Sequence, residues 1–150
     1  MRIALGADHA GVALKADIKR LLLERGVEIV DLGTDSTDPI DYPDIAVRVG
    51  REIGSGAADR GILLCGSGIG MAMAANKIAG VRAAPVVDED SARLSREHND
   101  ANVLALGERT TPLDLARRIV LLFLDTPFGG GRHQRRVEKI NALDCPPGRP

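Results

Sequence analysis

The sequence predicts an α/β protein, an open and doubly wound parallel sheet of five strands with helices on both faces, in a single domain. Three observations carry this. The apolar runs at residues 62–64 and 103–106 lack the polar alternation of a half-exposed strand and suit strands buried on both sides. Such runs alternate along the chain with stretches of helical spacing. The chain has 150 residues, 44% hydrophobic and 27% charged, enough for one core, and no repeat, linker or low-complexity tract divides it.

Residues 2–7 are expected as the first strand, closed by Gly6 and the polar pair Asp8 and His9. Residues 11–25 should form a helix, with Leu14, Ile18, Leu21 and Leu22 on one face and Gly26 as its stop. Residues 27–32 read as the second strand, and 33–43 as a loop dense in turn formers. Helical spacing returns over 44–53 through Ile45, Val49 and Ile53, until Gly54 and Gly56 break it. After the central strand and helix, residues 81–87 are expected as a strand, where Pro85 suits an edge or a strand end. A short helix over 91–97 leads into His98, Asn99 and Asp100, and residues 103–106 form the fifth strand. Thr111 is expected to cap a helix with Pro112 at its first position, running to Leu124. A loop over 126–131 and a last helix over 133–143 complete a domain spanning 1–143, followed by a loose tail at 144–150.

The chain is organised around residues 61–80, GILLCGSGIGMAMAANKIAG. An apolar strand ends in Cys65, then Gly66, Gly68 and Gly70 make a tight turn, and an Ala-rich helix follows over 71–78 with Gly80 as its stop. Strand, glycine turn and helix together aim unpaired backbone N–H groups at an anion, because a helix's first turn has no internal acceptors for them. The resulting arrangement is Rossmann-like, and ligands of such sheets bind beyond the carboxyl ends of the strands. Asp8, Cys65, Asp88 and Gly107 all follow strands and belong to that edge.

Taken alone, Cys65 could be a small buried hydrophobe. A position at a helix N-terminus favours a thiolate, which can serve as base or nucleophile. Each of the three histidines, His9, His98 and His133, falls in a loop or at a helix start instead of on an apolar face. Arg132 and Arg136 stand at i and i+4, so a helix stacks them on one face. A solvated basic face is the plain reading. With Arg135 they oppose the helix dipole, however, and a bound phosphate dianion would reverse that penalty, while Gly129, Gly130 and Gly131 give the backbone freedom to close on it.

A formal net charge of -1 excludes a general attraction to nucleic acid or to an anionic membrane. No run approaches membrane-spanning length, and the start lacks a signal-peptide core, which implies a cytoplasmic protein. Cys65 and Cys145, far apart in sequence, suit a reducing compartment. No His, Cys and carboxylate cluster has metal-ligand spacing, so neither metal nor cofactor is expected.

DHAG at 8–11, DYPD at 41–44, CGSGIG at 65–70, AANK at 74–77, REHNDANVLALGER at 96–109 and GGRHQRRV at 130–137 together resemble ribose-5-phosphate isomerase type B. That family also includes galactose-6-phosphate and allose-6-phosphate isomerases, and the likeness runs from Arg2 to about Leu143. It implies a metal-free aldose–ketose isomerase of an open-chain sugar phosphate, working through a cis-enediolate, in a homodimer or dimer of dimers whose sites are shared between subunits. By the same resemblance Cys65 is the base between C1 and C2, and Ser67 assists at the sugar hydroxyls. The backbone of Gly66, Gly68, Ile69 and Gly70 forms the oxyanion site. His98, supported by Asp8, opens the furanose ring. His9, Arg132 and Arg136 bind phosphate, with Arg109 as a further ligand, and Tyr42 and Asn99 contact substrate. Some relatives use a glutamate instead of the cysteine, but Met71 stands at that position here.

Two other classes compete. A nucleotide-binding module would use the G-x-G-x-G turn with Asp88 as a ribose acid, about twenty residues on. It leaves Cys65 and the arginine pair without a role. A cysteine phosphatase would need an arginine where Met71 stands.

Overall fold

The computed structural model describes residues 1–144; of the loose tail expected over 144–150, Asp144 belongs to a 3-10 turn and residues 145–150, Cys145 among them, lie outside the described residues. Strands β1 (Arg2–Ala7), β2 (Glu28–Asp31), β3 (Arg60–Cys65), β4 (Ala83–Pro85) and β5 (Val103–Gly107) form one parallel sheet in the order β2-β1-β3-β5-β4. The helices are α1 (Val12–Glu24), α2 (Tyr42–Gly54), α3 (Ile69–Ala75), α4 (Glu89–Glu97), α5 (Leu113–Asp125) and α6 (Gln134–Asn141). Tight 3-10 turns cover His9–Gly11, Gly131–His133 and Ala142–Asp144.

Alternate residues of each central strand feed opposite cores, which is why the strands need no polar face. Ile3, Leu5, Ile62, Leu64, Leu104 and Leu106 pack with Leu14, Ile18 and Leu22 of α1, Ala92 of α4, and Ile119 and Phe123 of α5. On the other face Ala4, Leu63, Cys65, Val103 and Ala105 meet Ile45, Val49 and Ile53 of α2 and Met71, Ala72 and Ala75 of α3. Burying each of these larger side chains contributes about 1.5 to 3 kcal/mol before entropy is counted.

The expected five-stranded, doubly wound sheet is what forms, and the departures are local. β4 is only Ala83–Pro85, at the sheet's outer edge, where Pro85 needs no ladder partner for its missing N–H. α3 begins at Ile69 and ends at Ala75 instead of spanning the expected 71–78. It stops because the Asn76 side chain turns to β4, its Oδ1 accepting from Ala83 N–H at 2.7 Å and its Nδ2 donating to Ala83 O at 2.8 Å.

Thr111 does not cap α5. Pro112 holds that position with extended ψ of 146°, and the Thr111 N–H donates to Gly107 O at 3.0 Å. The proline-led start occurs instead in α2, which begins at Tyr42 with Pro43 in its first turn, so that Tyr42 is fixed on a helix and not in a loop. α4 starts at Glu89, two residues before the expected helix. The last helix is divided between the 3-10 turns and α6, and Asp144 Oδ2 accepts from Gly80 N–H at 2.8 Å.

β1 and β3 are neighbours whose connections diverge, β1 leading to α1 on one face and β3 to α3 on the other. A crevice opens between the carboxyl ends of two such strands.

Candidate active site

That crevice is a pocket of about 670 Å³ lined by Asp8, His9, Tyr42, Cys65, Gly66, Ser67, Ile69, Gly70 and Arg109, with Ala10, Met73 and Thr110 beside them. Cys65 ends β3, buried to 5% exposure, and its Sγ accepts a hydrogen bond from the Gly68 backbone N–H at 3.1 Å. Gly68 can aim its N–H there because its φ of 79° is a left-handed value that suits glycine, and a Cβ would stand 3.0 Å from the Leu106 carbonyl carbon. Ile69 N–H donates to Ser67 Oγ at 3.4 Å. Gly70 is pressed against the Tyr42 ring, where a Cβ would come within 2.6 Å of Cζ.

Asp8 is buried and its Oδ1 accepts from Ala10 N–H at 2.9 Å, which caps the 3-10 turn and sets the direction of His9. His9 Nδ1 accepts from Ile40 N–H at 3.2 Å, so in the neutral ring Nε2 carries the proton and can donate to an anion. Arg109 follows β5, its N–H donating to Gly66 O at 3.1 Å, and its guanidinium lies over Gly66.

The remaining expected residues lie elsewhere in the chain. α4 runs back against the strand direction and delivers His98 and Asn99 just before β5 begins, whereas Cys65 pairs with Gly107 at the end of β5. The five residues of β5 lie between, at about 3.3 Å each. His98 and Asp8 therefore do not meet within one chain. Asn99 lines a second pocket, of about 410 Å³, with Arg82, Asn76 and Ile140.

Arg132 and Arg136 gather beside His98 at this second edge. Gly129 N–H donates to Glu97 O at 2.9 Å, and the His133 ring stacks on His98 with centroids 4.1 Å apart and 10° between planes. Desolvation, then the positive charge of His98, Arg132 and Arg136, holds the His133 imidazole below its ordinary range, against the pull of Glu97. Such a concentration of cations is suited to a bound anion.

His133 has no role that its sequence context assigns, although the spacing of GGRHQRRV places it beside the arginines. Thr110 and Met73 also line the pocket without a signal in the sequence. Met73 is 65% exposed on α3, and an Ala-rich helix gives no sign of which side faces out. Asp88, the acid a nucleotide site would need, caps α4 by accepting from Ser91 N–H at 2.7 Å. That bond and the Ser91 hydroxyl hold its carboxyl below the usual range. Met71, where a phosphatase would carry arginine, is wholly buried.

A model of the ribose/galactose isomerase family matches residues 3–140. Ribose-5-phosphate isomerase B of Escherichia coli (strain K12) is 50% identical over 143 residues, covering 95% of this chain and 96% of that protein. D-erythrulose-4-phosphate isomerase of Pectobacterium atrosepticum is 44% identical over 142 residues, covering 93% of each. The solved structure of Clostridium thermocellum ribose-5-phosphate isomerase B superposes with a TM-score of 0.94 at 49% identity, over 96% of this chain and 97% of that one. This chain belongs to the ribose/galactose isomerase family.

Proposed function

We propose that the protein is an aldose–ketose isomerase that interconverts ribose 5-phosphate and ribulose 5-phosphate through a cis-enediolate, at sites built from two copies of the chain. The observation that carries this is the placement of Cys65. A sulfur at the end of a central strand, hydrogen-bonded to Gly68 N–H, faces a pocket that also holds His9, Tyr42, Ser67 and Arg109.

The Gly68 N–H bond fixes the sulfur's position at the mouth of the pocket, where it can act as the base. The thiolate takes the proton from C2 of the open-chain aldose and, as a thiol, returns it to C1, while the C2 hydroxyl proton passes to the C1 oxygen, so that C1 ends as a hydroxymethyl group and C2 as the ketone. Negative charge that develops on the enediolate oxygens is met by backbone N–H groups of the Gly66–Gly70 turn, donors already in place before reaction. Gly68 is committed to Cys65 and Ile69 to Ser67, so Gly66, Ser67 and Gly70 are the N–H groups left for substrate. Ser67 Oγ serves the sugar hydroxyls. His98 delivers a proton to the ring oxygen of the furanose, with Asp8 in support, and Asn99 contacts the sugar. His9, Arg132, Arg136 and Arg109 hold the phosphate away from the reacting carbons.

Two copies are required because the base and the ring-opening histidine lie on opposite edges of one sheet. Tyr42, Ile69 and Met73 rim the Cys65 pocket at 40%, 53% and 65% exposure, an apolar border on which a second copy would bring its His98 edge to this crevice. A phosphorylated sugar as partner and a cytoplasmic location, with no part for nucleic acid or membrane, complete the reading. No helix of the described residues is long and apolar enough to cross a membrane.

The test is a panel of aldose phosphates assayed for ketose formation: ribose 5-phosphate, allose 6-phosphate, galactose 6-phosphate and a tetrose 4-phosphate. The tetrose is included because one relative is named for erythrulose 4-phosphate. Preferred turnover of ribose 5-phosphate is expected, and failure to form any ketose overturns the reading.

A further inference from the structure

We propose that Arg82 is a positioning residue of this isomerase, tying the His98–Asp100 corner to α6 so that the ring-opening histidine and the phosphate arginines are held as one unit. The inference rests on the roles given above to His98, Arg132 and Arg136.

Arg82 precedes β4, with 16% of its side chain exposed, and all of its guanidinium nitrogens are engaged. Nε donates to Asp100 O at 3.0 Å and Asn99 O at 3.3 Å, and Nη2 donates to Asp100 O at 2.8 Å and Asp100 Oδ2 at 3.1 Å. Nη1 turns the other way and donates to Asn141 Oδ1 on α6 at 2.9 Å. A rigid planar fork can reach acceptors in these separate directions at once, and a lysine ammonium on a flexible stem cannot.

Both ends of this tie are places that need one. Asp100 is the one non-glycine residue with positive φ among the described residues, at 46°, a conformation that persists only where its surroundings enforce it. A second arginine grips it from within: Arg96 Nη1 donates to Asp100 Oδ1 at 2.8 Å and to Ala101 O at 2.6 Å. One carboxylate held between two guanidinium groups thus fixes the corner that immediately follows His98 and Asn99. The start of α6 is held by the Gly129–Glu97 hydrogen bond and the His133–His98 stack, and its far end has little to hold it. Val137 is its only buried side chain, and the bond from Gly80 N–H to Asp144 lies beyond its end. The Arg82–Asn141 bond anchors that far end, so α6 is fixed at both ends and its axis, with the arginines at its start, keeps one orientation relative to His98.

The test separates the two arms of Arg82 in the full-length enzyme. Asn141 is exposed and its replacement is tolerated by the core, so Asn141→Leu removes the α6 arm alone, while Asn141→Asp keeps an acceptor oxygen. Asp100→Asn keeps a residue that accepts positive φ but weakens the corner arm. With ribose 5-phosphate as substrate and inorganic phosphate as competitive inhibitor, Asn141→Leu should raise KM and the phosphate Ki together by about three- to thirtyfold with little change in kcat. Asn141→Asp should restore both. Asp100→Asn should lower kcat by a similar factor and leave the phosphate Ki near its wild-type value. Arg82→Lys should show both defects. Wild-type values of KM and Ki in Asn141→Leu would overturn the proposal, as would equal losses in every parameter that merely follow a lowered Tm. An inactive wild-type enzyme would overturn the functional reading itself, and the proposal with it, which separates that failure from failure of the variants alone.

Discussion

Cys65 Sγ and the backbone N–H of Gly68 lie 3.1 Å apart, so the sulfur at the end of β3 is held by the first residue of the turn that can point an amide back at it. The bond fixes where the sulfur stands without the help of any polar side chain. On the proposed mechanism Cys65→Ala removes the proton acceptor and leaves the anion-binding groups in place. The expected loss is about 100- to 10,000-fold in kcat, the range for a general base. Inorganic phosphate should inhibit the variant, and bind to it, as it does the wild type. Cys65→Ser retains an acceptor for Gly68 but offers a far weaker base and should be nearly as inactive. Steady-state assays with calorimetric phosphate binding check both.

Arg132 and Arg136 are exposed on the first turns before and within α6 and adjoin His133. Arg132→Ala or Arg136→Ala should weaken substrate binding by about 2 to 4 kcal/mol, as expected for truncating one partner of a hydrogen-bonded charge pair. That corresponds to roughly thirtyfold to a thousandfold in Kd. Arg135, off the face that the i and i+4 arginines share, should matter much less when replaced by alanine. KM for ribose 5-phosphate and Ki for phosphate are the measurements, and Arg135 proving the costly position would contradict the assignment.

His133 provides a probe of the same site by titration. Its imidazole is held below the ordinary range by desolvation and by the neighbouring positive charges. Its share of stability is accordingly present above the unfolded imidazole value, about 6.5, and is lost as pH falls through the lower folded value. A bound dianion offsets the positive charge, so adding phosphate should move the midpoint upward. Proton NMR of the His133 ring, with and without phosphate, reads this directly; an unmoved midpoint at saturating phosphate would contradict a phosphate site there.

Lys15 is buried at 2% exposure beneath Asp31, its Nζ donating to both carboxylate oxygens at 3.0 and 3.1 Å and to Asp35 at 2.6 Å. Burial raises the Asp31 pKa, but hydrogen bonds from Lys19 and Lys15 and the Gly33 N–H outweigh it and leave the carboxyl below its usual range. The stability this confers is present above the unfolded value near 3.9 and disappears as pH falls through the folded value. Asp31→Asn should cost about 2 kcal/mol at neutral pH, less than the ~3 to 5 kcal/mol for a wholly orphaned buried ion, because Asp35 still accepts from Nζ. Urea unfolding at pH 7 and pH 3 tests this, with the difference between wild type and variant shrinking in acid.

The central strands were legible in the sequence because burial on both faces leaves an uninterrupted apolar run. β4 was less so, since three residues at an edge, one of them proline, carry almost no pattern. The start of α5 was misread because Thr-Pro fits a cap by residue type, while the chain's path from Gly107 decides which residue turns first. Half of the site was legible for a local reason: Asp8, His9 and the Cys65–Gly70 turn each sit within a few residues of a strand end. The separation of His98 from Cys65 was not. It depends on the nine residues of α4, which at about 1.5 Å each carry the chain from one edge of the sheet to the other. The resemblance implied sites shared between subunits, and the separation of His98 from Cys65 in one chain supports that proposal.

The most direct test of the central claim mixes two inactive variants, Cys65→Ala and His98→Asn, by co-expression or by unfolding and refolding together. If each site takes Cys65 from one copy and His98 from the other, a mixed dimer has one doubly damaged site and one intact site. Random pairing of equal amounts should then restore about a quarter of wild-type activity from two proteins that have almost none alone. Recovery near that level is the expected result, and a refolded mixture no more active than its components would contradict a site shared between two chains.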